Sequence, residues 1–347
     1  MTGPRDGPGD DEVWMAEALA AAAAVRTTTA PNPWVGAVVV PAGDEPVVVG
    51  ATSPPGGPHA EAVALELAGG SARGATVYVT LEPCAHHGRT PPCADALIAA
   101  GVARVVVALE DPDRRVAGAG LARLRAAGIA VTVGVAAADA TEQLAPYLHH
   151  RRTGRPLVVL KLAATLDGRI AAPDRSSQWI TGTAARLDAH RLRAESGAVA
   201  VGTGTVRADD PALTVRGVEG PDPLRVVIGS IPAGARVAPA IEHRGPLGDL
   251  LDDLGGRGVL QLLVEGGAGV AHQFHQAGLV DRYVLYLAPA LLGGDDGVPM
   301  FAGPGAPTMG DVWRGRIAGV ERLGDDVRID LRPAAPPARP APLEERS

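Results

Sequence analysis

Pro58-His59-Ala60-Glu61, followed by Thr80-Leu81-Glu82-Pro83-Cys84-Ala85-His86-His87-Gly88-Arg89-Thr90-Pro91-Pro92-Cys93, decides how the first half of this chain reads. One imidazole and two thiols, with eight residues between the cysteines, make a three-ligand set for zinc. Three protein ligands leave the fourth tetrahedral position to water, as in catalytic rather than structural sites. Such a metal makes hydroxide available near neutral pH. Neighbouring helix positions do not share a face, so with His59 on the metal, Glu61 reaches the bound water. Taken alone, two cysteines and a distant histidine also fit buried, unrelated side chains. Glu61 two positions after His59, and a proline before each of His59 and Cys84, favour the metal.

Outward from this stretch, apolar runs alternate with helix-like segments. Strands are expected at 36–40, 76–80, 104–108, 157–162, 198–201, 225–228, 259–264 and 283–287, and helices at 11–24, 61–67, 94–100, 118–127 and 184–195. This is the alternation of α/β domains whose sheets are covered on both faces. At 347 residues the chain exceeds what one core usually serves. The polar, basic run His149-His150-Arg151-Arg152-Thr153-Gly154-Arg155-Pro156 marks a boundary, giving domains over 11–150 and 151–334. Residues 1–10 and 335–347 read as flexible tails. A net charge of -7 argues against a general grip on nucleic acid. The apolar stretch Ala18–Val25 is too short to span a bilayer and lacks the flank of a secretory signal. Two cysteines make no disulfide scaffold, so a cytoplasmic protein without membrane partners is expected.

From Leu160 the second half reads Leu160-Lys161-Leu162-Ala163-Ala164-Thr165-Leu166-Asp167-Gly168-Arg169-Ile170-Ala171, an apolar strand breaking into a glycine turn. Ser177-Gln178-Trp179-Ile180-Thr181-Gly182 follows, then a helix bearing Arg186, Arg191 and Arg193, then Gly202-Thr203-Gly204-Thr205-Val206-Arg207-Ala208-Asp209 and onward to Leu213 and Arg216. Paired hydrogen bonds from Arg193 and Arg216 suit a sugar phosphate; arginines on a helix equally make a solvated face. Gly202-x-Gly204 is no Rossmann fingerprint, because Arg207 stands where a third glycine belongs. Val264-Glu265-Gly266-Gly267-Ala268-Gly269 reads as a strand running through glycines into a helix whose N–H groups can hold phosphate, or as a plain tight turn.

The segment 80–93, together with Pro31-Asn32-Pro33-Trp34-Val35-Gly36, resembles the deaminase domain of the bifunctional riboflavin-biosynthesis deaminase-reductases. Zinc-dependent nucleobase deaminases share an H-x-E…P-C-x-x-C pattern, and the longer second gap here, with its His, Gly, Arg and Pro insert, is that family's. Residues 156–332 resemble the family's reductase domain. The resemblance implies an α/β chain: a cytidine-deaminase-like three-layer domain followed by a dihydrofolate-reductase-like domain. It implies that His59, Cys84 and Cys93 bind Zn²⁺, that Glu61 is the proton shuttle, and that Asn32 and the insert line the substrate pocket. In the second half it implies NADPH contacts from Ala163, Trp179, Thr205, Asp209, Ser230 and the turn at Gly267, Ala268 and Gly269. Substrate contacts are implied for Ser177, Arg193, Leu213, Arg216 and Glu265. The implied activity is deamination of a phosphoribosylamino-diaminopyrimidine followed by NADPH reduction of the ribosyl group to ribityl.

Several positions depart from the family's pattern. Ala37 stands where the family usually has cysteine, and residues 50–57 form a shorter loop lacking its histidine. Gly229 replaces an acidic residue, and the stretch from Ser230 to Glu265 is short for the further strand and helix the family fits there. Two other readings therefore stay open: a deaminase with an impaired reductase half, and a non-catalytic binding protein with structural zinc. Intact Glu61 speaks against the latter, since a structural site needs no proton shuttle. Homo-oligomerisation is left open by the sequence.

Overall fold

The computed structural model describes residues 8–85, 92–113 and 116–334. Two compact units divide between Thr153 and Gly154. In the first, the order is α1 (Pro8–Ala24), β1 (Gly36–Val40), β2 (Val48–Ala51), α2 (Ala60–Ala68), β3 (Thr76–Val79), α3 (Cys93–Ala100), β4 (Arg104–Val107), α4 (Ala119–Ala126), β5 (Ala130–Val133), α5 (Ala137–Gln143) and α6 (Ala145–Thr153). The sheet runs β2-β1-β3-β4-β5, with β1 antiparallel to β2 and β3, and β3, β4 and β5 parallel. β1 and β3 are buried along their whole length, which is why they read as near-continuous valine runs.

Met15 and Ala18 of α1 and Ala140 of α5 pack on one face with Val38, Val40, Tyr78 and Val106. α2 lies on the other face and approaches so closely that a Cβ on Gly50 would stand 2.6 Å from the Ala60 carbonyl oxygen. The three-layer arrangement thus presses the start of α2, with His59 and Glu61, against the sheet.

The second unit contains β6 (Leu157–Thr165), β7 (Arg169–Ala171), α7 (Thr183–Ala194), β8 (Ala198–Gly202), α8 (Thr203–Asp209), β9 (Leu224–Ile228), β10 (Ile241–His243), α9 (Leu247–Gly256), β11 (Gln261–Val264), α10 (Ala268–Gln276), β12 (Arg282–Ala288), β13 (Val298–Pro299), β14 (Gly315–Leu323) and β15 (Asp326–Pro333). Its eight-stranded sheet runs β10-β9-β8-β11-β6-β12-β15-β14, parallel through β12 and antiparallel thereafter. Alternate residues of β6 enter opposite cores: Val158, Leu160 and Leu162 join α9 and α10, whereas Val159 joins Leu192 of α7.

Some expectations are corrected by the structure. Residues 8–10 begin α1 instead of closing a loose tail; the rest of both expected tails, and His86 and His87 of the insert, lie outside the described residues. The basic run at 149–153 is the end of α6, where cations suit the helix dipole, and Gly154 at φ 73° breaks the chain there, so the division follows Thr153 rather than His150. The shortened stretch after Ser230 still holds a strand and a helix, β10 and α9. The glycine at 229 has a physical reason: its φ is 111° and a Cβ would stand 2.3 Å from the Thr203 hydroxyl oxygen.

Candidate active sites

In the first unit three side chains converge. His59 sits at the N-cap of α2 and Cys93 is the first residue of α3. The His59 Nδ1 lies 3.7 Å from Cys84 Sγ and 3.3 Å from Cys93 Sγ, and all three ligand atoms fall within 4.8 Å of one another. A tetrahedral zinc with ordinary Zn–S and Zn–N bond lengths would separate its ligand atoms by about 3.5–3.8 Å. The donor set and its spacing therefore fit that ion.

The electrostatics prepare the ligands. The Cys84 thiol is pulled down to about 4, first by the hydrogen bond from the Cys93 thiol and further by His59 and the Cys93 backbone N–H, which donates to its sulfur at 3.4 Å. Donation to Cys84, with burial, pushes the Cys93 thiol up. Glu61 is 3% exposed, and burial raises its carboxyl to about 7.

One residue before Pro83-Cys84, the buried Glu82 carboxylate accepts backbone N–H bonds from Asp111 (3.2 Å), Gly118 (3.0 Å), Gly120 (2.9 Å) and Leu121 (3.3 Å). It ties the cysteine-bearing loop to the start of α4. Asp111 is buried and accepts from the Tyr147 hydroxyl at 3.0 Å.

The second unit carries a cavity of about 630 Å³, within the usual range for small-molecule sites. Its wall includes ten of the sequence-implied positions: Ala163, Trp179, Thr205, Asp209 and Gly267 on the cofactor side, and Ser177, Arg193, Leu213, Arg216 and Glu265 on the substrate side. Ser230, Ala268 and Gly269 are not part of that wall. The Ser230 backbone is instead held by Thr203, whose hydroxyl both donates to its carbonyl and accepts from its N–H at 2.8 Å.

Gly267 caps α10 without a side chain, and its N–H donates to the Thr205 hydroxyl at 3.0 Å. The wall thus brings the start of α10 at Gly267 together with Thr205, Asp209 and Trp179 around a cavity of small-molecule size, and these residues fit NADPH. Asn32 is half-buried between α1 and β1, with no side-chain hydrogen bond among the described residues.

A residue to which the sequence reading gave no role stands in the same wall. Lys161 is the only lysine of the chain, against 31 arginines. It is half-buried, with its Nζ 5.6 Å from the centre of the Tyr286 ring, and burial lowers its pKa against the pull of Glu265. In a chain that otherwise uses arginine for every cation, that count was the available signal.

Comparison with known proteins places both units. Residues 8–109 match the cytidine and deoxycytidylate deaminase zinc-binding region, and residues 156–329 match the RibD C-terminal domain. The riboflavin biosynthesis protein RibD of Mycobacterium tuberculosis (strain H37Rv) is 47% identical over 320 residues, covering 88% of this chain and 93% of its own length. That of Escherichia coli K12 is 42% identical, covering 92% and 99%. The chain belongs to the RibD family. Among solved RibD structures, one from Acinetobacter baumannii superposes with a TM-score of 0.87 at 40% identity, covering 93% of this chain and 98% of its own. A Thermotoga maritima diaminohydroxyphosphoribosylaminopyrimidine deaminase/5-amino-6-(5-phosphoribosylamino)uracil reductase gives 0.83 at 32%, with the same coverage.

As a RibD, the chain is a bifunctional enzyme of riboflavin biosynthesis, with a zinc-dependent deaminase and an NADPH-dependent reductase. Among the described residues, no helix is long and apolar enough to cross a membrane.

Proposed function

We propose that the unit ending at Thr153 deaminates 2,5-diamino-6-(5-phosphoribosylamino)pyrimidin-4(3H)-one and that the unit beginning at Gly154 reduces the ribosyl group of the deaminated product. The observation carrying the first half is the convergence of His59, Cys84 and Cys93 beside buried Glu61. Zinc held there would supply Lewis acidity, lowering the pKa of a water molecule. Glu61 takes a proton from that water and gives it to the ring nitrogen, then takes the proton of the newly added hydroxyl and gives it to the departing amine. Cys84 enters as a thiolate because Cys93 and His59 donate to it. The half-buried Asn32 amide, without a side-chain hydrogen bond among the described residues, is assigned to the pyrimidine.

NADPH bound along the second cavity would supply the hydride. Its phosphates are assigned to the turn at Gly267, Ala268 and Gly269, and the rest of the cofactor to Ala163, Trp179, Thr205, Asp209 and Ser230. Ser177, Leu213 and Arg216 hold the substrate, with Arg216 the cation available for its phosphate. Arg193 acts through Glu265, to which it is bonded twice. Opening the ribosyl ring leaves an oxygen that must gain a proton, and Lys161 is assigned to hold that proton. A cytoplasmic setting is supported by the two free cysteines, whose ligand role needs reducing conditions.

Glu61→Gln tests the division of labour. It is expected to keep zinc and lower ammonia release on the order of 10²- to 10⁴-fold, while NADPH oxidation with the already deaminated substrate continues. Undiminished ammonia release would remove Glu61 from the reaction.

A further inference from the structure

The segment carrying Leu213 and Arg216 lies between α8 and β9 and is fastened residue by residue. Leu213 is buried at φ 54°, a left-handed conformation that a leucine keeps only where its surroundings fix it. The Thr214 carbonyl accepts from Arg193 Nη1 at 3.1 Å, the Val215 N–H donates to Asp222 at 2.7 Å, and the Arg216 N–H donates to His190 Nδ1 at 3.1 Å. His190 and Arg193 lie three apart on α7, on one face of the helix. Two neighbouring side chains of α7 thus hold this segment.

His190 is half-buried and lines a second cavity, of about 460 Å³. Its wall shares Lys161, Arg193 and Arg216 with the first, and adds Tyr286 and, among the described residues, no carboxylate. Arg216 is exposed, and among the described residues its guanidinium bonds only to the Thr214 hydroxyl, at 3.0 Å. Fixing the backbone of such a cation before an anion arrives spares binding the cost of ordering it.

We propose, resting on the assignment of the substrate phosphate to Arg216, that His190 is a positioning residue for that arginine. Its neutral imidazole, with the proton on Nε2, accepts the Arg216 N–H and sets the guanidinium where the phosphate binds. An imidazolium carries hydrogen on both nitrogens and cannot accept. Burial, then the charges of Arg193 and Arg216, keep the His190 pKa below the usual histidine range, against Glu265 and the Thr214 backbone. Lys161 and Arg186 are the further cations of that wall. The acceptor is therefore present at neutral pH and is lost as pH falls through the lowered value.

Two variants of the full-length protein test this with the deaminated substrate. His190→Leu fills the space without an acceptor, and KM should rise about two- to tenfold, the range for one net hydrogen bond, with kcat little changed. His190→Asn puts an amide oxygen close to where Nδ1 stands and should restore KM at neutral pH. In mild acid, KM should climb more steeply for wild type than for His190→Asn; the titration of the phosphate itself, with a second pKa of about 6, is common to both. Calorimetric titration with substrate in the absence of NADPH should follow the same order, and unchanged NADPH affinity shows that the unit is folded. Arg216→Ala separates the two assignments. If it leaves KM unaltered, the phosphate is not held there and both assignments fall. A raised KM in Arg216→Ala beside a wild-type KM in His190→Leu overturns the role of His190 alone, as does a His190→Asn variant no better than His190→Leu or as acid-sensitive as wild type.

Discussion

The Arg193 guanidinium grips both carboxylate oxygens of Glu265, Nη2 to Oε2 at 2.8 Å, in a pair whose side chains are only 13% and 9% exposed. A third bond, to the Thr214 carbonyl, completes its commitments. This arginine is therefore a positioning residue for Glu265 rather than a free phosphate clamp, which leaves Arg216 to face the cavity. Burial alone would raise the Glu265 carboxyl, but Arg193 and then Lys161 more than offset it and hold it below the usual glutamate range. Arg193→Ala strands that carboxylate, and breaking such a pair costs about 3–5 kcal/mol. NADPH oxidation with deaminated substrate should collapse while ammonia release persists. The pH sense follows: a depressed carboxyl stabilises the fold above its unfolded value and loses that contribution as pH falls through the folded one. The gap between wild type and variant in thermal melts should therefore be widest near neutral pH and narrow as pH falls.

Lys161→Arg tests the proton assigned to the lone lysine. Arginine keeps the charge but does not release its proton at accessible pH, so a loss of reduction on the order of 10²-fold is expected. Burial lowers the Lys161 pKa below that of an ordinary lysine. The ammonium is lost as pH rises through that lowered value, so the wild-type reductase rate should decline on its alkaline side before free lysine titrates. A rate unaffected by Lys161→Arg would exclude the role.

Gly120→Ala should damage the metal centre without touching it. A Cβ there would stand 1.9 Å from the Pro83 carbonyl oxygen, so the segment leading to Cys84 must shift. Perturbing groups that orient metal ligands typically costs 10- to 100-fold in affinity, roughly the loss expected when a chelator competes for zinc.

Asp11→Asn should destabilise the deaminase unit. Its carboxylate accepts two bonds from Arg104, at 2.9 and 2.7 Å, and one from the Tyr78 hydroxyl at 2.9 Å. The Arg104 bonds hold its pKa low. Its contribution is therefore present above the unfolded value of 3.8 and fades as pH falls through the lowered one. Calorimetry should show a loss of about 3 kcal/mol at neutral pH that narrows in strong acid.

What the sequence reveals follows from where the information lies. The cluster of His59, Cys84 and Cys93 is legible because a His and two Cys at set spacing are chemistry written in side chains. The Glu82 clamp is not, since all its partners are backbone N–H groups, which carry no residue signature. The pairing of Arg193 with Glu265 spans 72 positions, so charge alone left Arg193 reading as a phosphate ligand. β14 escaped because both its faces meet solvent and no apolar run marks it, whereas β10 and α9 were obscured by a short connecting stretch.

A single chain carrying both units is expected to perform both reactions in sequence. Ammonia release and NADPH oxidation, followed separately on the same full-length protein with the diaminopyrimidine substrate, test it most directly. The prediction is one NADPH consumed for each ammonia released, with oxidation lagging deamination. Ammonia release with no NADPH oxidation at saturating cofactor would contradict it.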